Sequence, residues 1–187
     1  MLVRLATEAD VEIVVAMARD AVETTKPHHV FSEAKLIECF ARYLVTANPT
    51  FFLVERRGEV IGFLQAEIGG YDFTDGLFTV QKTLYVRPES RGSRAAAVLM
   101  SHLVEWSRGL GAKEIFGGVD NGFHVEQTSR FLERFRFRRN RYFMVRDLGD
   151  VEEGRGIGES RSSAGEGRRA GPSGAHPQGH GVHRQPV

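Results

Sequence analysis

Apolar residues recur along this chain with two periods, and their alternation predicts an α/β fold. Helical spacing occurs over residues 11–22, 36–44, 96–106 and 125–135, where an apolar residue returns every three or four positions. The predicted strands, which are rich in β-branched and aromatic residues, are 2–6, 51–55, 60–68, 77–86, 114–119 and 142–145. We therefore expect a mixed sheet of about six to seven strands, with about four helices covering its two faces.

Local signals mark the ends of the predicted elements. Thr7 followed by Asp10 fits a capping box, and Ser32 is a suitable N-cap for the second helix. Gly58 predicts a hairpin turn, and Gly111 is placed to end the third helix. These residues predict where the elements begin and end.

The last part of the chain has a different composition. Residues 151–187 are dominated by Gly, Ser, Arg, His and Pro and contain no aromatic residue, so little apolar surface is available to offset the entropy of ordering. We expect one domain over residues 1–148 and a tail over 149–187 that is disordered or ordered by a partner. Its basic, histidine-bearing end suits an acidic partner, and a functionless extension is the plainer interpretation.

Charge and composition limit the function classes. The formal net charge of +1 argues against a strongly basic nucleic-acid surface. Cys39 is the only cysteine, which excludes an internal disulfide and a cysteine-based metal site, and we interpret it as an inert buried thiol rather than a nucleophile. His28 and His29 are adjacent on a loop without a carboxylate partner, a pattern typical of a surface rather than a metal site. No signal-peptide pattern and no membrane-length apolar run occur, so we expect a cytoplasmic protein.

The segment after the strand at 77–86 predicts an anion site. Pro88 ends the strand, and a run of small residues then leads into a helix. The first N–H groups of a helix and the positive end of its dipole attract anions. Arg91 and Arg94 add charge-assisted donors that suit phosphate oxygens.

This segment resembles motif A of the GNAT acetyltransferase superfamily, Arg/Gln-x-x-Gly-x-Gly/Ala after a strand that ends in an apolar residue and Pro. It reads Arg91-Gly92-Ser93-Arg94-Ala95-Ala96, so that Arg91 and Ala96 match and Arg94 replaces the middle glycine. The family's loop wraps the pyrophosphate of acetyl-CoA, so the resemblance implies that these six residues bind it. Arg94 either reaches the phosphate with its side chain or obstructs the site. The opening of the chain, residues 3–10, also resembles the start of GNAT domains, and the resemblance covers about residues 2–148.

The helix near residue 130 resembles motif B of the same family, which ends Phe-Tyr-x-x-Leu-Gly-Phe. Phe131 and Phe137 match, but Leu132 stands at the tyrosine position and Arg136 at the glycine position. That tyrosine often protonates the departing coenzyme A thiolate. Tyr142 and Tyr85 are substitutes for this acid, although neither stands at the matching position. Thiolate is a good leaving group, so loss of the acid is expected to slow turnover rather than abolish it.

The resemblance also implies how the rest of acetyl-CoA is held. The strand segment Leu84-Tyr85-Val86 is expected to lie along the pantetheine arm, with backbone groups of Leu84 and Val86 facing it and one N–H polarising the thioester carbonyl. Asn121 and His124 follow the next strand, where the family contacts the same arm. These residues complete the expected acetyl-CoA site.

Glu67 is the first candidate for the general base that deprotonates the acceptor amine, directly or through water. It lies near the end of the strand beside the expected acetyl-CoA strand, and a carboxylate in a dry cleft can take a proton near neutral pH. A solvated glutamate at a strand end is an equally good interpretation. The weaker candidates are Asp72, Asp75 and Asp120.

Two functions compete. The first is an N-acetyltransferase that uses acetyl-CoA, with no metal, and transfers acetyl by direct attack to a small amine or a protein amino group. The second is a non-catalytic GNAT-fold protein that binds partners through its tail, such as a phage virion or assembly component, because Arg94, Leu132 and Arg136 replace signature residues. The sequence also has a general likeness to acetyltransferase-like proteins that bacteriophages encode. This likeness is the reason for giving a virion component as the example of the second function.

The acceptor side of the site is expected to be built from loops. In the family, the acceptor pocket is lined by variable loops, here about residues 24–33 and 69–76. The resemblance makes His28, His29 and Phe31 candidate acceptor contacts. Sheets of the family also pair side by side through their last strands, which makes a homo-oligomer possible.

Overall fold

Helices and strands alternate along the part of the chain that the computed structural model describes, residues 1–25, 29–118 and 125–139. The strands are β1 (Leu2–Leu5), β2 (Thr50–Arg56), β3 (Glu59–Gly70), β4 (Leu77–Val86) and β5 (Glu114–Phe116). The helices are α1 (Val11–Thr25), α2 (Glu33–Thr46), α3 (Ala95–Gly109) and α4 (Val125–Glu133). Single 3-10 turns, Glu8–Asp10 and Pro88–Ser90, precede α1 and follow β4.

The strands form one mixed sheet, as the sequence predicts, and their order in it is β1-β2-β3-β4-β5. Neighbours from β1 to β4 pair antiparallel, and β4 pairs parallel with β5. The described residues contain five strands, fewer than the six to seven expected, and the last predicted strand, 142–145, lies outside them. β5 ends at Phe116 rather than reaching residue 119, because Gly117 and Gly118 follow and glycine holds a strand weakly.

The sheet separates two apolar clusters. Successive strand residues point to opposite faces: Phe51 of β2 packs with α1 and α2, whereas Phe52 packs with α3 and α4. Both residues are at most 1% exposed. The sheet is therefore covered by helices on both faces, as predicted.

The predicted capping residues are observed at the helix ends, with one difference. The Asp10 carboxylate accepts hydrogen bonds from the Thr7 backbone N–H at 2.7 Å and hydroxyl at 2.8 Å, but the first turn after Thr7 is a 3-10 turn. Ser32 Oγ accepts from the Lys35 N–H at 3.4 Å, and Gly111 has φ +73° beyond the end of α3. Short-range capping therefore sets these ends.

All described residues belong to one compact unit. The predicted boundary near residue 148 and the tail at 149–187 lie outside the described residues. No helix of the described part is long and apolar enough to cross a membrane. The same part contains no group of three or more His, Cys, Asp or Glu side chains that could hold a metal ion.

Candidate functional site

The pairing between strands β4 and β5 is short. Their ladder joins Phe78 to Glu114, Thr79 to Ile115 and Val80 to Phe116. From residue 81 to 86, β4 still pairs with β3, but no described strand pairs with its other edge. The edge of β4 over residues 81–86 is therefore open among the described residues, and we call the space beside this edge the cleft.

The register of β4 decides which backbone groups face this cleft. The Arg87 N–H donates to the Ile61 carbonyl at 3.0 Å, and in an antiparallel ladder every second residue bonds to the same neighbour. Tyr85 therefore bonds to β3, while the N–H and C=O groups of Leu84 and Val86 point to the open edge. The Val86 carbonyl also accepts from Arg91 Nε at 3.3 Å. This edge thus offers backbone donors and acceptors to a ligand.

A β-bulge interrupts β4 at the start of the open edge. Gln65 pairs with Thr83 and Ala66 pairs with Gln81, so Lys82 is the extra residue. Lys82 Nζ lies 3.4 Å from Oε2 of Glu67, which is opposite Val80, the last β4 residue paired with β5. The bulge thus brings a charged pair to the point where β4 and β5 separate.

The loop at the start of α3 exposes donors. The first helical bond runs from the Val98 N–H to the Arg94 carbonyl at 2.9 Å, and Ser93 Oγ accepts from the Ala95 N–H at 3.3 Å. The N–H groups of Ala96 and Ala97 consequently have no acceptor within the helix. A helix start with free N–H groups attracts an anion, as expected for the six-residue motif.

Two residues of that motif differ in their backbone requirements. Gly92 has φ +78°, a conformation that glycine adopts without a steric penalty. Arg94, at the position where the family has glycine, has φ −78° and ψ 1°, so a side chain is accommodated without backbone strain. Its side chain is exposed, as is that of Arg91. The backbone of the loop therefore accommodates an arginine at this position.

Glu67 lies in a pocket on the face of the sheet that α1 and α2 cover. The pocket has a volume of about 240 Å³, and its lining residues are Arg42, Asn48, Pro49, Glu67 and Ile68. The Glu67 side chain is 34% exposed. A carboxylate there is accessible to a ligand and lies one strand away from the open edge of β4.

Cys39 lies beside this pocket on α2. Its Sγ accepts a weak hydrogen bond from Gln65 Nε2 at 3.4 Å. The residue is half-buried, and burial raises the pKa of its thiol. A raised pKa disfavours the thiolate, which agrees with the inert thiol predicted from the sequence.

Tyr85 does not present its hydroxyl to the open edge. The residue is 5% exposed and packs with Phe63 in the cluster under α1 and α2, and its hydroxyl lies 3.4 Å from Oδ2 of Asp20. Burial, followed by the charge of Asp20, raises the pKa of this phenol. Tyr85 is a core residue that contributes its backbone to β4.

The remaining predicted residues are scattered or undescribed. Asp72, Asp75 and His29 are exposed, and Phe31 lies under the Arg19 guanidinium, 5.4 Å from its ring centroid. Five further candidates, His28, Asp120, Asn121, His124 and Tyr142, lie outside the described residues.

The two departures in motif B have different structural consequences. Leu132, at the tyrosine position, is 6% exposed and packs in the cluster under α3. Arg136, at the glycine position, has φ +65°. The backbone therefore keeps the left-handed turn for which glycine is suited, although the residue is arginine.

Gln81 is a further candidate for the site that sequence reasoning did not identify. Its Oε1 is buried and has no hydrogen-bond partner within the described residues, and it lies 3.1 Å from where a Cβ on Gly117 would be. Gln81 and Gly117 flank the point where β4 and β5 separate. A buried acceptor without a partner is costly, and an amide N–H of a ligand in the cleft would satisfy it. No sequence signal identifies it, because the bulge decides where it points.

The comparisons with known proteins agree with this fold. Residues 15–146 match the family model described as Acetyltransferase (GNAT) family. A transcriptional regulator from Bacillus halodurans C-125 is 18% identical with a TM-score of 0.67, over 79% of this chain and 99% of that one. A predicted acetyltransferase from Clostridium acetobutylicum, crystallised with acetyl-CoA, is 15% identical with a TM-score of 0.66, over 79% and 96%. An aminoglycoside antibiotic 6'-N-acetyltransferase from Acinetobacter haemolyticus is 16% identical with a TM-score of 0.62, over 79% and 97%.

At these identities the solved structures establish the fold alone, and a search of curated proteins gave no match. Neither the family match nor the similar structures support a phage origin or a virion role. The family model, by contrast, spans well over half of the 187 residues and includes both motifs. The chain therefore belongs to the GNAT acetyltransferase family.

Proposed function

We propose that the protein is an N-acetyltransferase that moves an acetyl group from acetyl-CoA to a small amine by direct attack. The observation that carries this proposal is the open edge of β4, where the backbone groups of Leu84 and Val86 face a cleft that ends at the start of α3. Backbone donors along the cleft and at its end suit a ligand with an amide-containing arm and a pyrophosphate.

The residues present fit acetyl-CoA. The N–H groups of Ala96 and Ala97, with the side chains of Arg91 and Arg94, would bind the pyrophosphate. Gln81 Oε1 is a buried acceptor at the base of the cleft and would accept from an amide of the pantetheine arm. Bound acetyl-CoA supplies the activated acetyl thioester. An N–H of Leu84 or Val86 would stabilise the negative charge that develops on its carbonyl oxygen.

Glu67 would act as the general base. The acceptor amine must lose a proton to become nucleophilic, and a carboxylate in contact with the pocket takes that proton directly or through water. The amine nitrogen then bonds to the carbonyl carbon, the carbon–sulfur bond breaks, and its electron pair leaves with the thiolate, which is protonated. Tyr142, Asn121 and His124 remain candidates for the last step and for holding the arm.

The test combines binding with turnover. Calorimetry with acetyl-CoA is expected to show binding that Arg91→Ala weakens about 10-fold, since charge-assisted hydrogen bonds are worth about 1.5–3 kcal/mol. Arg108→Ala is the matched control, because Arg108 is an exposed arginine near the other end of α3. Absence of acetyl-CoA binding by the unaltered protein would overturn the proposal.

A second measurement tests the base. Glu67→Gln keeps the shape of the side chain but cannot accept the proton, so kcat with an amine acceptor is expected to fall by about 100-fold while acetyl-CoA binding persists. Unchanged kcat would remove Glu67 from the mechanism and leave it as a solvated strand residue.

A further inference from the structure

We propose that the pocket beside Glu67 selects a small zwitterionic acceptor, a free amino acid, with Arg42 binding its carboxylate and Glu67 its amino group. This inference rests on the proposed function, since Glu67 is the base assigned there. It names the substrate class that the pocket itself recognises.

The charges of the pocket are the first argument. Of its five lining residues, only Arg42 and Glu67 are charged, and they have opposite signs. Within the described residues Arg42 makes no ion pair, and the one hydrogen bond of its side chain is the long one that it donates to Cys39 Sγ, at 4.0 Å. An unpaired guanidinium at a pocket presents a planar fork of donors that matches a carboxylate.

The other lining groups do not compete for the ligand. Both polar side-chain atoms of Asn48 are already bonded to one residue: its Nδ2 donates to the Ile68 carbonyl at 3.1 Å, and its Oδ1 accepts from the Ile68 N–H at 3.0 Å. Pro49 and Ile68 contribute mainly apolar surface. Recognition by polar side chains in this pocket therefore falls to the two charged residues.

Lys82 gives the site a net positive charge. Its Nζ pairs with Glu67 Oε2 at 3.4 Å, so the local group comprises two cations and one carboxylate. An amine without an anionic group would add a further positive charge, whereas a zwitterion would bring a carboxylate for Arg42 and an ammonium for Glu67. The electrostatic balance therefore favours a ligand that carries its own negative charge.

The volume of the pocket suits a small acceptor. About 240 Å³ is below the range of about 300–1,000 Å³ typical of drug-sized ligands. A small amino acid fits this space. The size and the charge pattern thus point to the same ligand class.

The experiment compares matched amines with the full-length protein. Acetyl-CoA-dependent thiol release is measured with alanine, alaninamide and ethylamine, which share an amine but differ in the carboxylate. Arg42→Gln is expected to raise KM for alanine about 10-fold or more and to leave KM for alaninamide and ethylamine unchanged. The KM of the variant is compared with the KM of the unaltered protein for each substrate separately, so differences in pKa between the amines cancel.

The control variants separate recognition from structure. Lys35→Gln removes another exposed cation of α2 that does not line the pocket, and it is expected to change no KM. Arg42→Lys is expected to restore part of the alanine affinity, because lysine keeps the charge but loses the planar fork. Equal effects of Arg42→Gln on all three amines, or no effect on any, would overturn the inference.

A direct binding measurement distinguishes failure of this inference from failure of the proposed function. Alanine binding is followed by saturation-transfer NMR, with and without coenzyme A. Arg42-dependent alanine binding without acetylation of any amine would support the zwitterion pocket and overturn the transferase. Acetylation of ethylamine, with no preference for alanine and no Arg42 dependence, would support the transferase and overturn the zwitterion pocket.

Discussion

Phe137 closes helix α4 by donating its backbone N–H to the carbonyl of Leu132, 3.3 Å away. The bond is accompanied by a second one, from the Arg136 N–H to the Glu133 carbonyl at 2.9 Å, and together they enclose Arg136 at φ +65°. This is the helix-ending turn in which glycine is preferred. The signature turn of the family is thus formed with an arginine at its strained position.

Arg136→Gly is expected to stabilise the protein by about 1 kcal/mol, because glycine relieves the left-handed penalty of a side chain. The measurement is urea unfolding, with a higher midpoint and an unchanged slope. Arg134→Gly is the control: Arg134 is also exposed but is not in the left-handed region, so this change is expected to destabilise. A lower midpoint for Arg136→Gly would contradict the strain argument.

Gly92→Ala is expected to weaken acetyl-CoA binding through the backbone alone. Gly92 has φ +78° and an added Cβ would meet nothing within 4 Å, so the cost is conformational, about 1–2 kcal/mol. Gly58 in the β2–β3 hairpin has φ +82° and equally open surroundings, which makes Gly58→Ala a matched control. Both variants should lose stability by urea unfolding, and only Gly92→Ala should lose affinity by calorimetry. Equal affinity for acetyl-CoA in the two variants would show that the loop at Gly92 does not contribute to acetyl-CoA binding.

Gln81→Leu is expected to have opposite effects on stability and on binding. Leucine replaces a buried acceptor that has no partner within the described residues, so the free energy of unfolding without ligand should rise by about 1 kcal/mol. Affinity for acetyl-CoA should fall, because the proposed amide contact is lost. Urea unfolding tests the expected gain in stability, and calorimetry on the same samples tests the expected loss of affinity. Unchanged affinity would show that Gln81 does not contact the ligand.

The stability of the amino-terminal region is expected to depend on acid pH through Asp10. The Arg4 guanidinium, 2.7 Å away, and the Thr7 donors hold the pKa of Asp10 well below its usual range. Because the pKa of Asp10 is lower in the folded than in the unfolded protein, its carboxylate stabilises the fold at pH values above the unfolded pKa of about 3.9. This stabilisation is lost as the pH falls toward the folded pKa. Asp10→Asn should therefore cost about 2 kcal/mol at pH 7, and the difference from the unaltered protein should shrink below about pH 4.

Glu8→Gln is the control for this pH dependence, since Glu8 is exposed in the same turn. Unfolding measured from pH 7 to 3 should give Glu8→Gln the same profile as the unaltered protein. A constant difference between Asp10→Asn and the unaltered protein across this range would mean that the carboxylate contributes through packing rather than charge.

Local sequence was sufficient for most elements. Strand β4 was predicted at its observed bounds, and the helical spacing over 96–106 lies within α3, Ala95–Gly109, because β-branched runs, helical spacing and glycine stops act over short distances. The capping interactions of Thr7 and Ser32 were foreseen for the same reason. The motif loop was recognised from its residues, although its binding role remains a proposal.

The sequence alone determined the alternation of helices and strands, the two-sided burial of the sheet and the family, since these depend on periodicity and short motifs. Only the tertiary structure decided which backbone groups face the cleft, because one extra residue at Lys82 changes the register of β4. It also brought Arg42 of α2 to the same pocket as Glu67 of β3 and left Gln81 Oε1 buried at the cleft. Such contacts join residues distant in the chain, and neither periodicity nor local propensity carries information about them.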